Sequence, residues 1–153
     1  MSTQGGYLQP ALSDFIAEYL DAQRVRMRSF ASAARHGRRW IARFKGRMLR
    51  AILPLDIEGW VTKRAQETAP ATVNRELSFL RRVFNVALAN GLVDCNPVKQ
   101  VKFLREPSGR VRFLSDDEEG RLRHETGEWH WPAIAFAINT GLRQGEQFRL
   151  RWF

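Results

Sequence analysis

Between Val73 and Leu88 the apolar residues Val73, Leu77, Leu80, Phe84, Ala87 and Leu88 recur in steps of three and four. That spacing lays them along one face of an α-helix. Pro70 stands just before the run, and Asn90-Gly91 offers a C-terminal stop. A long helix with an apolar stripe must bury that stripe against other elements. The preceding sequence supplies candidates, all of them helical. Ser13 is placed to cap a helix carrying Phe15, Ile16, Tyr19 and Leu20, with Asp14 and Glu18 toward its start and Arg24, Arg26 and Arg28 toward its end. Gly37 reads as a break, after which Trp40, Ile41, Phe44 and Met48 form a second face. Leu53-Pro54-Leu55 interrupts that face, and Asp56 is placed to cap a third helix with Ile57, Trp60 and Val61 on one side. Four amphipathic helices within about 90 residues predict a small all-α bundle.

Further on, Asn96-Pro97 marks a turn, and Pro, Ser and Gly cluster without an apolar period around Pro107. The expected divisions are a tail over 1–10, a bundle over 11–104, a linker over 105–112 and a second segment over 113–153. In that segment Ser115-Asp116-Asp117-Glu118 reads as a capping box ahead of a helix containing Leu122. Pro132 suits the first turn of another helix, with Ile134, Ala135 and Ile138 on its apolar face. Thr140-Gly141 ends it, and a new helix starts near Arg143. The 41 residues from 113 to 153 lie near the roughly 40-residue limit for independent folding. They are expected to be less stable than 11–104, or to borrow packing from another chain.

Charge narrows the partner. Of 25 Lys and Arg and 16 Asp and Glu, residues 1–105 hold 18 and 8, a balance of +10, and residues 106–153 hold 7 and 8, a balance of −1. Residues 24–50 carry ten basic side chains and no acidic one. A one-sign field of that density attracts polyanions, and phosphate contacts by Lys and Arg dominate nucleic-acid binding. Arg38, Arg39, Arg43 and Lys45 in this run, Asn74, Arg75, Arg81 and Arg82 on the polar face of the long helix, and Arg110 and Arg112 in the linker are the expected DNA contacts. Double-stranded DNA is the expected partner. An RNA-binding role is disfavoured because no strand pattern with stacking aromatics is visible. No apolar run approaches the roughly 20 residues that span a bilayer. No metal or other cofactor is expected, since Cys95 is the single cysteine and no His, Cys or Asp spacing supports a metal. No phosphate-loop motif followed by Lys-Ser/Thr occurs, and no small-molecule substrate is implied. A cytoplasmic, nucleoid-associated location is expected.

Asn139-Thr140-Gly141-Leu142-Arg143-Gln144-Gly145-Glu146, continuing to Leu150 and Trp152, resembles the first catalytic box of the tyrosine recombinases, the phage integrases: Thr-Gly-x-Arg-x-x-Glu, then Leu and Trp. Thr72 to Leu77, with Phe84, Gly91, Asn96 and Pro97, is similar to the last helix and exit of that family's N-terminal core-binding domain. Phe113-Leu114-Ser115 with Glu118 resembles the start of its catalytic domain. The three matches are in register. The resemblance implies a mainly α chain: a SAM-like four-helix core-binding bundle followed by the first helices of an incomplete integrase catalytic domain. It implies DNA integration and recombination by strand breakage and rejoining, with other recombinase protomers as partners.

The resemblance gives Arg143 a catalytic task, stabilising the extra negative charge of a phosphorane-like transition state through a planar fork of donors. Glu146 becomes an acidic support beside it. The family's mechanism also needs a tyrosine nucleophile, a hairpin lysine and a His-x-x-Arg box downstream, and none follows before Phe153. Tyr7 and Tyr19 lie near the N-terminus, and His36-Gly37-Arg38-Arg39 matches His-x-x-Arg about a hundred residues too early. His124 and His130 have no matching partners. The expectation is a recombinase fragment that binds DNA without cutting it. The competing expectation is a non-catalytic regulator or inhibitor of an intact recombinase.

Overall fold

The computed structural model describes residues 10–107, 109 and 112–151, and the chain divides at Pro107–Ser108 into two units. Helices α1 (Leu12–Gln23), α2 (Phe30–Arg43), α3 (Pro54–Ala65) and α4 (Pro70–Ala89) form the first unit, with 3-10 turns at Leu49–Ala51 and Pro97–Gln100. No strand occurs among the described residues; Ala11 and Met48 make one isolated antiparallel bridge.

Helix α4 is the axis of this unit. It packs against α2, α3 and the Pro97–Gln100 turn. The predicted stripe Val73, Leu77, Leu80, Phe84 and Ala87 is buried, and so are Phe79 and Val83 on a second stripe. Leu88 is half-buried. One stripe is too narrow for a helix with neighbours on several sides, which is why the periodicity alone missed the second.

Helix α2 shows what the local reading got wrong. Gly37 does not break it. The helix runs through, with Ala33, Gly37 and Trp40 buried along one line. A Cβ placed on Gly37 would lie 3.0 Å from Ile16 Cγ2, 3.0 Å from Leu20 Cδ1 and 3.4 Å from Phe79 Cζ. The glycine therefore lets α1 and α4 approach the α2 backbone, and close packing outweighs its low helix propensity. Further along, Trp40 stacks on Phe44 at 5.8 Å and meets Trp60 at 4.0 Å, and its Nε1–H donates to the Glu76 carbonyl at 3.0 Å. Met48 falls outside the predicted face. The helix ends at Arg43, Gly46 turns the chain with φ 74°, and Met48 is exposed.

Two predicted caps take other forms. Helix α1 starts at Leu12 after Ala11, and Ser13 bonds Asp14 instead of capping. Pro54 and Pro70 are the first helical residues of α3 and α4, where a missing N–H costs nothing. Asp56 sits three residues inside the start of α3. Its Oδ2 accepts the Leu53 N–H at 2.9 Å and the Arg47 Nη2–H at 2.9 Å.

In the second unit, Ser115 and Glu118 close the expected capping box at the start of α5 (Asp116–Thr140): the Glu118 N–H donates to Ser115 Oγ, and the Ser115 N–H donates to Glu118 Oε2. The two helices read from sequence are two segments of α5, separated at Gly127, whose φ 68° and ψ 168° are not helical. Pro132 follows one turn later. Gly141, at φ 67°, stops α5 in the left-handed conformation. The short α6 (Gln144–Gln147) comes next, and Gln147 Nε2 donates to the Ala133 carbonyl at 2.7 Å. Among the described residues of this unit no side chain is buried. No described helix is long and apolar enough to cross a membrane.

Candidate nucleic-acid interface

The 3.6-residue period sorts the α2 side chains. With Ala33, Gly37, Trp40 and Phe44 turned inward, Arg35 and Arg39 fall on the flank toward α4, and Arg38 lies about 100° round the helix from Arg39. The flank is fixed by contacts: His36 meets Phe79 at 6.2 Å, and Arg39 pairs with Glu76. On α4, Arg75 and Arg82 are seven residues apart, hence on one line, and both are exposed. Burial pushes the His36 imidazole below the ordinary histidine value, and Arg39, Arg35, Arg82 and Arg75 push it lower still. Its Nδ1 is buried without a hydrogen-bond partner. The sequence reading named Arg39, Arg75 and Arg82 but set His36 aside and left Arg35 out of its contact set. The signal was there: Arg35 and Arg39 are spaced by one helical turn.

Arg39 is only partly free. Glu76 is fully buried, and its carboxylate accepts from Arg39 and, at 3.2 and 3.3 Å, from Arg64. A buried carboxylate needs such partners, since losing one leaves an uncompensated charge. Arg39 therefore ties α2 to α4 with one edge and faces solvent with the rest, its side chain 41% exposed.

The remaining predicted contacts scatter. Asn74 is a correction: it is buried, its Nδ2–H donates to the Leu104 carbonyl at 2.9 Å and to Glu106 at 2.7 Å, and its Oδ1 accepts the Leu104 N–H at 2.9 Å. It pins the chain leaving the bundle and has no donor left to read DNA. Arg81 is exposed but turned about 100° from Arg82. Arg43 lines a cavity of about 250 Å³ with Gly59, Trp60, Lys63, Arg64 and Glu67. Lys45 is exposed in the turn after α2. Arg112 is exposed and pairs with Glu118. Arg110 lies outside the described residues.

In the second unit Arg143 is the N-cap of α6, just past the Gly141 stop. Its backbone N–H donates to Glu146 Oε2 at 3.0 Å, and its Nη1 lies 3.4 Å from Glu146 Oε1. The Arg143 side chain is 87% exposed. Glu146 thus holds the base of the arginine and leaves most of the fork open. Tyr19 is different in kind: it is buried, edge-on to Phe79 at 6.0 Å, and burial raises its phenol above the ordinary value against the lowering effect of Arg82.

Comparison with known proteins agrees with this architecture. No protein-family model matches the chain. A shufflon-specific DNA recombinase of Escherichia coli is 38% identical over 85 residues, covering 53% of this chain and 22% of that protein. A Haemophilus influenzae protein described as an integrase/recombinase is 30% identical over 106 residues, covering 61% of this chain and 29% of its own length. The chain therefore spans less than a third of either relative. Its fold matches the crystal structure of a lambda integrase dimer bound to a COC' core site with a TM-score of 0.77, at 19% identity, over 91% of this chain and 41% of that one. The mainly helical fold is thus shared with the lambda integrase structure, and parts of the chain are similar in sequence to two proteins described as recombinases.

Proposed function

We propose that these 153 residues are a duplex-DNA-binding segment of a site-specific recombinase, gripping the sugar–phosphate backbone through the flank shared by α2 and α4. One observation carries the reading: Arg35 and Arg39 on α2 and Arg75 and Arg82 on α4 are exposed on two helices that pack together, and the carboxylate between the helices, Glu76, is buried and already paired. A surface shaped only for solubility would intersperse acids there. Arg143 is the residue proposed to meet the scissile phosphate, with Glu146 steadying it.

The test is duplex binding across a salt series. Each lost phosphate contact lowers the magnitude of the log–log salt slope by about 0.9. Replacing Arg35, Arg75 and Arg82 with Gln should therefore reduce it by about 2 to 3. Arg143→Ala, remote in sequence and highly exposed, should leave affinity almost unchanged. A polypeptide that ignores duplex oligonucleotides at low ionic strength would end the proposal.

Cleavage is a separate matter. Nucleophilic attack on phosphorus needs an accessible phenol that a base or a lowered pKa activates. Tyr19 is buried with its proton held more tightly than usual. A suicide DNA substrate should accordingly yield no phosphotyrosyl adduct at Tyr19.

A further inference from the structure

We propose that the cavity between the end of α2 and α3 is a seat for one phosphate group of the duplex backbone, held by Arg43 and Lys63. The inference rests on the DNA-binding reading of α2 and α4 and adds a third helix and a defined subsite to it. The cavity measures about 250 Å³ and is lined by Arg43, Gly59, Trp60, Lys63, Arg64 and Glu67. That is less than the roughly 300–1,000 Å³ of sites that enclose drug-sized ligands, so it suits a small ionic group and not a whole nucleotide.

Its lining combines a packed aromatic part with two unanswered charges. Trp60 is buried, and its ring lies 4.0 Å from that of Trp40, which stacks on Phe44. The Arg43 guanidinium carbon lies 5.6 Å from the centre of the Phe44 ring. Arg64 is spent: its Nε and Nη2 donate to Glu76 at 3.2 and 3.3 Å, and its Nη1 donates to Glu67 at 2.8 Å. Glu67, the one acid of the lining, is thereby paired. Arg43 and Lys63 are exposed, and among the described residues no acid pairs with either. Two cations from different helices thus flank one concavity with no counter-charge, which is the chemistry of an anion site. Each also lies in the last turn of its helix, where a cation is favourable by itself. That accounts for a charge on each helix but not for the opening between them.

Gly59 accounts for the opening. It lies inside α3, where glycine disfavours the helix. Its φ is not positive, and a Cβ placed on it would meet no atom within 4 Å. Neither backbone nor packing demands the glycine. Its effect is to keep a side chain out of the cavity, as glycine does where a ligand approaches the backbone closely. The cavity also adjoins the flank proposed to grip DNA. Arg35, Arg39 and Arg43 follow at one-turn intervals along α2, and Arg39 shares the Glu76 carboxylate with Arg64. A backbone phosphate of the same duplex is therefore the occupant.

The experiment measures duplex affinity of the whole chain across a salt series for the natural protein, for Arg43→Gln with Lys63→Gln, and for Gly59→Leu. Two cations on one phosphate count as one contact, so the double variant should lower the magnitude of the log–log slope by about 0.9. Two separate contacts would lower it by about 1.8. Gly59→Leu keeps both charges and fills the cavity. It should lose the same amount of slope while its unfolding midpoint stays or rises, because leucine favours the helix. An unchanged slope in Gly59→Leu, or a loss of about 1.8 in the double variant, would overturn the seat and leave DNA binding by α2 and α4 intact. Titration with inorganic phosphate separates the two sources of the anion. Phosphate binding that needs Arg43 and Lys63, with a natural duplex slope in the double variant, would assign the cavity to a free anion and overturn the backbone seat. Absence of duplex binding by the natural chain at low ionic strength would overturn the underlying reading instead. Should the double variant fail to fold, Gly59→Leu decides alone.

Discussion

The two units obey the same local rules and differ in what those rules enclose. Both begin helices with a carboxylate reaching back to a free N–H, Asp56 on Leu53 and Glu118 on Ser115. Both use left-handed glycines to turn or stop the chain, Gly46 and Gly91 in one, Gly141 in the other. Yet the buried hydrophobic cluster runs from Leu12 to Val101 and lies wholly within the first unit. In the second, Phe113, Trp129, Phe148 and Leu150 are more than half exposed. Local signals specify helices in both units, and burial makes only one of them a core. The arginines that would hold DNA stand on the packed unit, and Arg143 stands on the open one.

The sharpest way to break this contrast is to take out the largest fully buried side chain. Trp40 has no exposed surface, stacks on Phe44, meets Trp60 at a tilt, and donates its indole N–H to the Glu76 carbonyl. Trp40→Ala should cost about 3–5 kcal/mol, much of the stability of a small domain. Native-state hydrogen exchange gives the matching readout. Amides of α4 should be protected to near the global limit and lose that protection in the variant. Amides of α5 should exchange rapidly in both proteins. Equal, strong protection of α4 and α5 in the natural chain would contradict the contrast.

Two glycines sharpen it, because they are needed for unlike reasons. Gly37 is helical and is required by its neighbours: Ile16, Leu20 and Phe79 leave no room for a branched side chain. Gly37→Val should cost about 1–3 kcal/mol through overpacking, seen as a lower unfolding midpoint of the first unit. Gly127 has open space around it and is required by its backbone, at φ 68°. Gly127→Ala meets no clash there. It should act on the break itself, favouring a continuous α5 and raising the helical circular dichroism signal. A Gly37→Val variant as stable as the natural chain would show that α1 and α4 can move apart freely.

These particulars also mark how far the sequence could be read. The α4 stripe, the Ser115–Glu118 box, the Gly141 stop and the Arg143–Glu146 pair were legible because each is settled within about one turn of chain. Gly37 was misread because its role depends on residues of α1 and α4, which no local propensity contains. Asn74 was misread for the same reason. On a helical wheel it belongs to the polar face, and its burial is decided by Leu104 and Glu106, some thirty residues on. His36 stood out through a motif at the wrong place in the chain, whereas what the fold gives it is packing against Phe79 of α4.

The smallest predicted effect concerns the capping boxes. Asp56 is held below the ordinary aspartate value, first by its hydrogen bond from Arg47, then by the Leu53 N–H. A carboxyl depressed in the folded state contributes stability above its unfolded value near 3.9, and that contribution is lost as pH falls through the lower folded value. Both partners are partly exposed, so the charge is worth about 1 kcal/mol or less. Asp56→Asn retains an acceptor for the Leu53 N–H and removes the charge. At neutral pH it should unfold a few degrees below the natural chain, and the two midpoints should converge as pH drops below about 4. A difference that persisted in acid would assign the role of Asp56 to shape and hydrogen bonding alone, and the Arg47 pair would then add nothing to the stability of the first unit.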